Sequence, residues 1–127
     1  MPAMPFFPYT VSAMVTVSRE EFEQIVYQKY ESLPREILER LDNVELFVED
    51  EPRRRNLWGL YHGVPFPDRK NPGYSLVMPD KIILYRYPIM RSCRTREQLE
   101  RRIEQVLYHE IGHYLGLDED ELRQMGL

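Results

Sequence analysis

His109 and His113 lie four residues apart, and a glutamate directly follows the first, so the stretch VLYHEIGHYLG carries HExxH. On a helix, residues at this spacing project from one face with β-carbons about 5–6 Å apart, close enough for both imidazoles to reach one metal ion. Glu110 stands beside the first histidine, where a carboxylate can take a proton from a water on that ion without ligating it. Gly116 comes three residues after His113, where a helix end adopts the left-handed conformation, and Leu117 is the usual apolar follower. The chain is therefore expected to reverse and carry residues 118–120 toward the metal. In the extended pattern HExxHxxGxx(H/D) the third ligand falls at Glu119. Asp118 has a competing duty, because Asp118 with Glu121 is spaced as a capping box for a short last helix. Asp120 and Asp118 are the fallback ligands. Two imidazoles and one carboxylate suit one Zn2+ per chain with a position open for water, a catalytic rather than a structural arrangement.

A long helix must hold these groups. Thr95 with Gln98 makes a capping box, and the sequence from there to Gly116 reads as one helix of about twenty residues, roughly 30 Å long. Leu99, Ile103, Val106, Leu107, Ile111 and Leu115 form its apolar stripe, which has to pack across a sheet. Ser18 with Glu21 caps an earlier helix, expected over residues 19–32, with Phe22, Ile25, Val26, Tyr30 and Leu33 at helical spacing. Pro34 suits the first position of a second, shorter helix through Leu41. Strands are expected at 44–49 (VELFVE), at 57–64 (LWGLYHGV) and, most clearly, at 81–87 (KIILYRY), which Pro88 closes. Alternation in the last puts Ile82 and Leu84 on one face and Ile83, Tyr85 and Tyr87 on the other. A Pro/Gly-rich loop precedes it. The class is α+β.

The chain has 127 residues, 43% of them hydrophobic and 30% charged, which suits one folded domain with a single core. The net charge of −4 argues against nucleic acid as a partner, since phosphate backbones call for a concentrated excess of Lys and Arg. Three consecutive arginines after Pro52 read as a solvated loop. Cys93 is the only cysteine, so no intramolecular disulfide forms and a cytoplasmic location is expected. Prolines at 2, 5 and 8 and the lack of a basic stretch make the N-terminus a poor signal peptide, and no apolar run approaches the ~20 residues of a membrane span. Residues 1–14 are expected to form an extended arm, with Met14 as an alternative start, and residues 15–127 a single domain.

These features together resemble the small bacterial zincin-like metallopeptidases, zinc-dependent proteases with a matrix-metalloprotease-like motif. The likeness runs over about residues 15–127, through VSREEFEQIVYQKYESLPREILERLDNVELFVEDEP, GLYHGVP, PDKIILYRYPI and VLYHEIGHYLGLDEDEL. The resemblance implies a minimal zincin-like fold, in which a small mixed sheet packs against the HExxH helix and N-terminal helices precede it. It implies that a strand such as 81–87 borders the site. It also implies His109 and His113 as zinc ligands and Glu110 as the base. The family pattern has Asp at the third ligand, where this chain has Glu119, one methylene longer.

The chemistry expected is hydrolysis of a peptide or other amide bond, with a peptide or small protein-derived substrate and no membrane partner. The oxyanion that develops needs a second stabiliser, for which Tyr85, Tyr87, His62 and Tyr108 are candidates. Two other readings compete. A non-catalytic metal-binding or interaction module fits the small size and the departure at Glu119. A metal-dependent ribonuclease would use Arg91, Arg94, Arg96, Arg101 and Arg102 and is similar in its paired histidines to the bacterial ribosomal-RNA maturation endonucleases, but their third ligand is His and their motif lacks the adjacent Glu.

Overall fold

Ser18 starts the first helix as its spacing with Glu21 predicts, its hydroxyl accepting the Glu21 amide at 3.1 Å in a computed structural model that describes residues 14–54, 57–65, 67, 79–124 and 126. Helix α1 (Arg19–Glu31) buries Phe22, Ile25 and Val26 at helical spacing. The Glu21 side chain does not close the box but pairs with Arg96, tying α1 to the start of the longest helix. Pro34 stands one position outside α2 (Arg35–Leu38), a single turn that ends short of the expected Leu41. Asn43, with φ of 55°, then turns the chain into β1 (Val44–Glu49).

The sheet has the order β1-β3-β2. β3 (Asp80–Tyr85) is central, parallel to β1 and antiparallel to β2 (Gly59–His62). Of the strand expected over 57–64, only these four residues of β2 pair. The register aligns Leu46, Ile82 and Tyr61 in one row and Val48, Leu84 and Gly59 in another, and this is the face that meets the helices. Asp80, buried at the start of β3, accepts the Tyr61 hydroxyl at 2.7 Å and the Val64 amide at 3.2 Å, which fixes the end of β2.

The strand expected over 81–87 stops at Tyr85. Arg86–Arg91 form a helix instead, α3, which contains both Tyr87 and Pro88. Pro88 is the third residue of that helix, where its missing N–H is one the first turn leaves unpaired in any case. Arg86 bends the chain there, donating to Asp50 Oδ1 at 2.9 Å and to the Val17 carbonyl at 2.7 Å. A proline after a β-rich run thus marks a strand-to-helix junction here.

Thr95 caps α4 (Arg96–Tyr114), accepting the Gln98 amide at 3.1 Å. Leu99, Ile103, Val106, Leu107 and Ile111 are all buried against α1 and the sheet, as their spacing requires, while Leu115 is half-buried. Tyr114 is fully buried too: its hydroxyl donates to the Arg40 carbonyl and accepts the Asp42 amide at 3.1 Å, tying the end of α4 to the chain before β1. The last element is α5 (Glu119–Gln124). Helices and a small mixed sheet make the α+β fold expected of the sequence. No helix among the described residues is long and apolar enough to cross a membrane. The N-terminal arm lies outside the described residues except for Met14, which packs on the core, and so does Arg55 of the basic triplet and most of the loop before β3.

Candidate metal centre

α4 buries one face, which leaves His109 and His113 half-buried on its flank, their rings 4.9 Å apart and nearly perpendicular. After Tyr114 the helix ends as the glycine predicts. Gly116 has φ of 90°, its amide bonds to the His113 carbonyl at 2.9 Å, and the Leu117 amide reaches the Gly112 carbonyl at 3.0 Å. This pair of bonds is the Schellman arrangement, and it turns the chain back along the helix. Asp118 then caps α5, accepting the Glu121 amide at 2.8 Å, while its own amide donates to the Glu121 carboxylate at 3.0 Å. Leu122, fully buried, lies on Gly112, where an added Cβ would stand 2.3 Å from Leu122 Cδ2. The reversal, the cap and this contact hold the start of α5 over the two imidazoles.

Glu119 is the carboxylate delivered there. Its Oε1 is 2.7 Å from His113 Nε2 and 3.2 Å from His109 Nε2, and the three potential donor atoms lie within 4.8 Å of one another. The fallback residues are occupied elsewhere: Asp118 in the cap, Asp120 in an exposed pair with Arg123. Burial raises the Glu119 carboxyl, but hydrogen bonds to His109 and His113 outweigh it and hold the group below its ordinary range.

The donor set fits a cation. His113 Nδ1 is 3.1 Å from the Leu117 carbonyl, which can only accept, so Nδ1 carries the proton. In the neutral ring Nε2 is then a lone pair, facing a carboxylate oxygen at 2.7 Å. Two acceptors at that distance need a proton or a metal ion between them. Nitrogen and oxygen donors with a backbone carbonyl orienting one ring match zinc's preferences.

Glu110 falls on the buried face of α4, one turn after Val106, and is 7% exposed. Burial raises its carboxyl; the two imidazoles oppose this, the Glu119 carboxylate adds to it, and a hydrogen bond from the Tyr61 backbone amide opposes it. Gly59 makes this proximity of β2 and α4 possible, since an added Cβ would stand 2.7 Å from Val106 Cγ1 and 3.2 Å from Glu110 Cγ.

A cleft of about 760 Å³ opens over the three donors and Glu110, with Leu57, Trp58, Leu60, Pro65, Val106 and Leu117 among its walls. The strand that borders it is β2, an outer strand among the described residues, and not the expected strand at 81–87, because β3 is covered by neighbours on both sides. Tyr85, Tyr87 and His62 do not line this cleft. Tyr85 is buried at the end of β3, where burial raises its hydroxyl pKa; α3 carries Tyr87 off the sheet, under the Arg86 guanidinium; alternation turns His62 away from the face that Tyr61 occupies. Tyr108 lines a different hollow. Sequence spacing gave no sign of Gly59, Tyr61 or Gly112, whose parts are set by packing between elements distant in the chain.

The family model for zincin-like metallopeptidases matches residues 41–127, from just after α2 through α5. Among solved structures, a conserved hypothetical protein from Thermus thermophilus is similar at a TM-score of 0.53 and 22% identity, with 78% of this chain and 94% of that one covered. That likeness shows a shared fold. No curated protein matches the chain.

Proposed function

This chain belongs to the zincin-like metallopeptidase family, and from that membership we propose that it is a zinc-dependent peptidase or amidase in which His109, His113 and Glu119 hold the ion and Glu110 is the general base. The observation that carries the reading is the convergence of both Nε2 atoms on one Glu119 oxygen, at 2.7 and 3.2 Å. Zinc, when bound, supplies Lewis acidity that acidifies water and polarises a carbonyl. The chain's own residues do the rest. Leu117 fixes the His113 tautomer through Nδ1, leaving Nε2 for the ion. Glu110 is buried beside the donors with its carboxyl raised, which suits a group that takes a proton from water and passes it to a leaving amine. Leu60, Val106 and Leu117 offer an apolar wall to a side chain of an extended peptide laid along β2, an outer strand of the sheet among the described residues.

A purely structural or buffering site would have no use for a buried carboxylate beside its ligands, which favours catalysis over the metal-binding module. The ribonuclease reading loses two of its five arginines to ion pairs, Arg91 with Glu51 and Arg96 with Glu21 and Glu100. Elemental analysis of protein purified without chelator tests the proposal: about one zinc per chain is expected, lost in His113→Ala and in Glu119→Ala, with peptide cleavage lost in Glu110→Gln although zinc remains. Protein that takes up no zinc even when the metal is added back would overturn it.

A further inference from the structure

A second hollow, of about 740 Å³, lies beside the metal cleft and shares Gln105 with it. Gln105 stands one helical turn before His109, and Arg101 one turn before Gln105, so a single flank of α4 runs from the ligands into a group of arginines. Arg91, Arg94, Arg101 and Arg102 all line this hollow. Arg91 is neutralised by two contacts of 3.1 Å to Glu51. Glu104, the carboxylate in the lining, faces Lys29 at 3.7 Å. Arg94 and Arg101 have no carboxylate partner among the described residues, and Arg102 lies over the Trp58 ring at 4.2 Å. Trp58 also walls the metal cleft, so the stacked pair forms the threshold between the two hollows. On a chain of net charge −4, this is a local concentration of unspent positive charge.

We propose that the substrate continues from the metal cleft past Gln105 into this groove, which selects a peptide carrying an acidic side chain a few residues from the bond cut. The proposal rests on the peptidase reading and adds its substrate class. Eight residues of helix separate His109 from Arg101, a rise of about 12 Å. An extended peptide covers that distance in about three to four residues. The acidic partner is a peptide and not a nucleic acid because the metal cleft is itself lined by Glu110, Asp118 and Glu119. A phosphodiester chain would carry a negative charge at every nucleotide into that end, whereas a peptide can place its one carboxylate among the arginines alone.

Fluorescence anisotropy on the full-length, zinc-loaded Glu110→Gln protein tests this with labelled peptides that differ only in Glu or Gln at the third and fourth residues from the centre. The Glu peptides are expected to bind about three- to tenfold more tightly, with the preference shrinking in raised salt. The doubly substituted Arg94→Gln, Arg101→Gln protein is expected to bind both peptides alike, while Arg35→Gln, Arg40→Gln, which removes the same charge elsewhere, keeps the preference. Equal binding of Glu and Gln peptides by the parent, or a preference that survives loss of Arg94 and Arg101, overturns the groove. So does a single-stranded RNA that binds more tightly than the Glu peptide. If the preference stands but the zinc-loaded wild type cleaves none of the peptides, the groove is supported and the peptidase reading alone falls. Cleavage without charge preference leaves the peptidase and removes the groove.

Discussion

Leu122 of α5 rests on the bare α-carbon of Gly112, between the two histidines of HExxH, so close that a methyl group there would meet it at 2.3 Å. A glycine inside a 19-residue helix costs about 1 kcal/mol relative to alanine, and here it lets the following helix lie low enough to set Glu119 over the imidazoles.

Gly112→Ala therefore separates helix stability from metal binding. The gain in helix propensity offsets part of an overpacking cost of about 1–3 kcal/mol, so the unfolding midpoint should change little or fall modestly. Zinc affinity, read by competition with a chromogenic chelator, should fall roughly tenfold or more because α5 and its carboxylate are displaced. Unaltered affinity would show that α5 reaches the histidines without this contact.

Gly59→Ala acts from the other side. The new methyl presses on Val106 and on the Glu110 side chain, with an expected loss of about 1–3 kcal/mol in denaturant unfolding. Because the nearest atoms to such a methyl belong to Val106, Glu110 and Ile83, bound zinc should be retained while turnover drops. Loss of zinc together with turnover would contradict that division.

Glu110→Gln is expected to keep the fold at least as stable as the parent. The carboxylate is buried and its charged form is disfavoured there, while an amide oxygen can still accept the Tyr61 amide. A melting temperature equal to or a few degrees above that of the parent, measured on metal-free protein, is the expected result; a lower one would mean the charge supports the fold.

Away from the site, Asp50 gives a pH signature. A hydrogen bond from Arg86 holds its carboxyl below the ordinary range, with the Arg86 and Arg19 charges adding to the effect against desolvation. A depressed folded pKa stabilises the fold fully above the unfolded value of about 3.9, and that contribution is lost as pH falls through the folded one. Asp50 is 40% exposed, so the size is set by a screened pair, about 0.5–1 kcal/mol. Urea midpoints of the parent and Asp50→Asn should differ near neutral pH and converge in acid. A gap that persists in acid would point to lost packing instead.

Much of this was legible because it is local. The Ser18 and Thr95 caps, the burial of the α4 stripe, the turn at Gly116 and the Asp118–Glu121 box each involve residues within a few positions of one another, and each formed as spacing predicts. What sequence could not convey depends on distant partners. Tyr87 reads as strand from its neighbours, but a helix begins at Arg86, where that side chain pairs with Asp50, 36 residues away, and the Tyr87 amide bonds to the Asp50 carbonyl at 3.1 Å. Tyr114 reads as a residue beside a ligand, yet its hydroxyl belongs to the chain at Arg40 and Asp42. Which strand borders the cleft follows from the order of strands in the sheet, and short strands carry no local mark of edge or centre.

The three donors span only eleven positions of the chain, 109 to 119, while the fold around them depends on a parallel pairing of β1 with β3 that must bridge thirty-odd residues. Closing the short loop costs little entropy, and closing the long one costs more and is slower. A cation can therefore gather its ligands in a chain whose sheet has not yet assembled. If zinc binds the three donors as proposed, part of its affinity would already be present in the unfolded state, and it would raise the equilibrium stability by less than its affinity for the native protein would give. On the proposed site, the ion would also act on the order of events, favouring the α4–α5 corner before the distant strands pair.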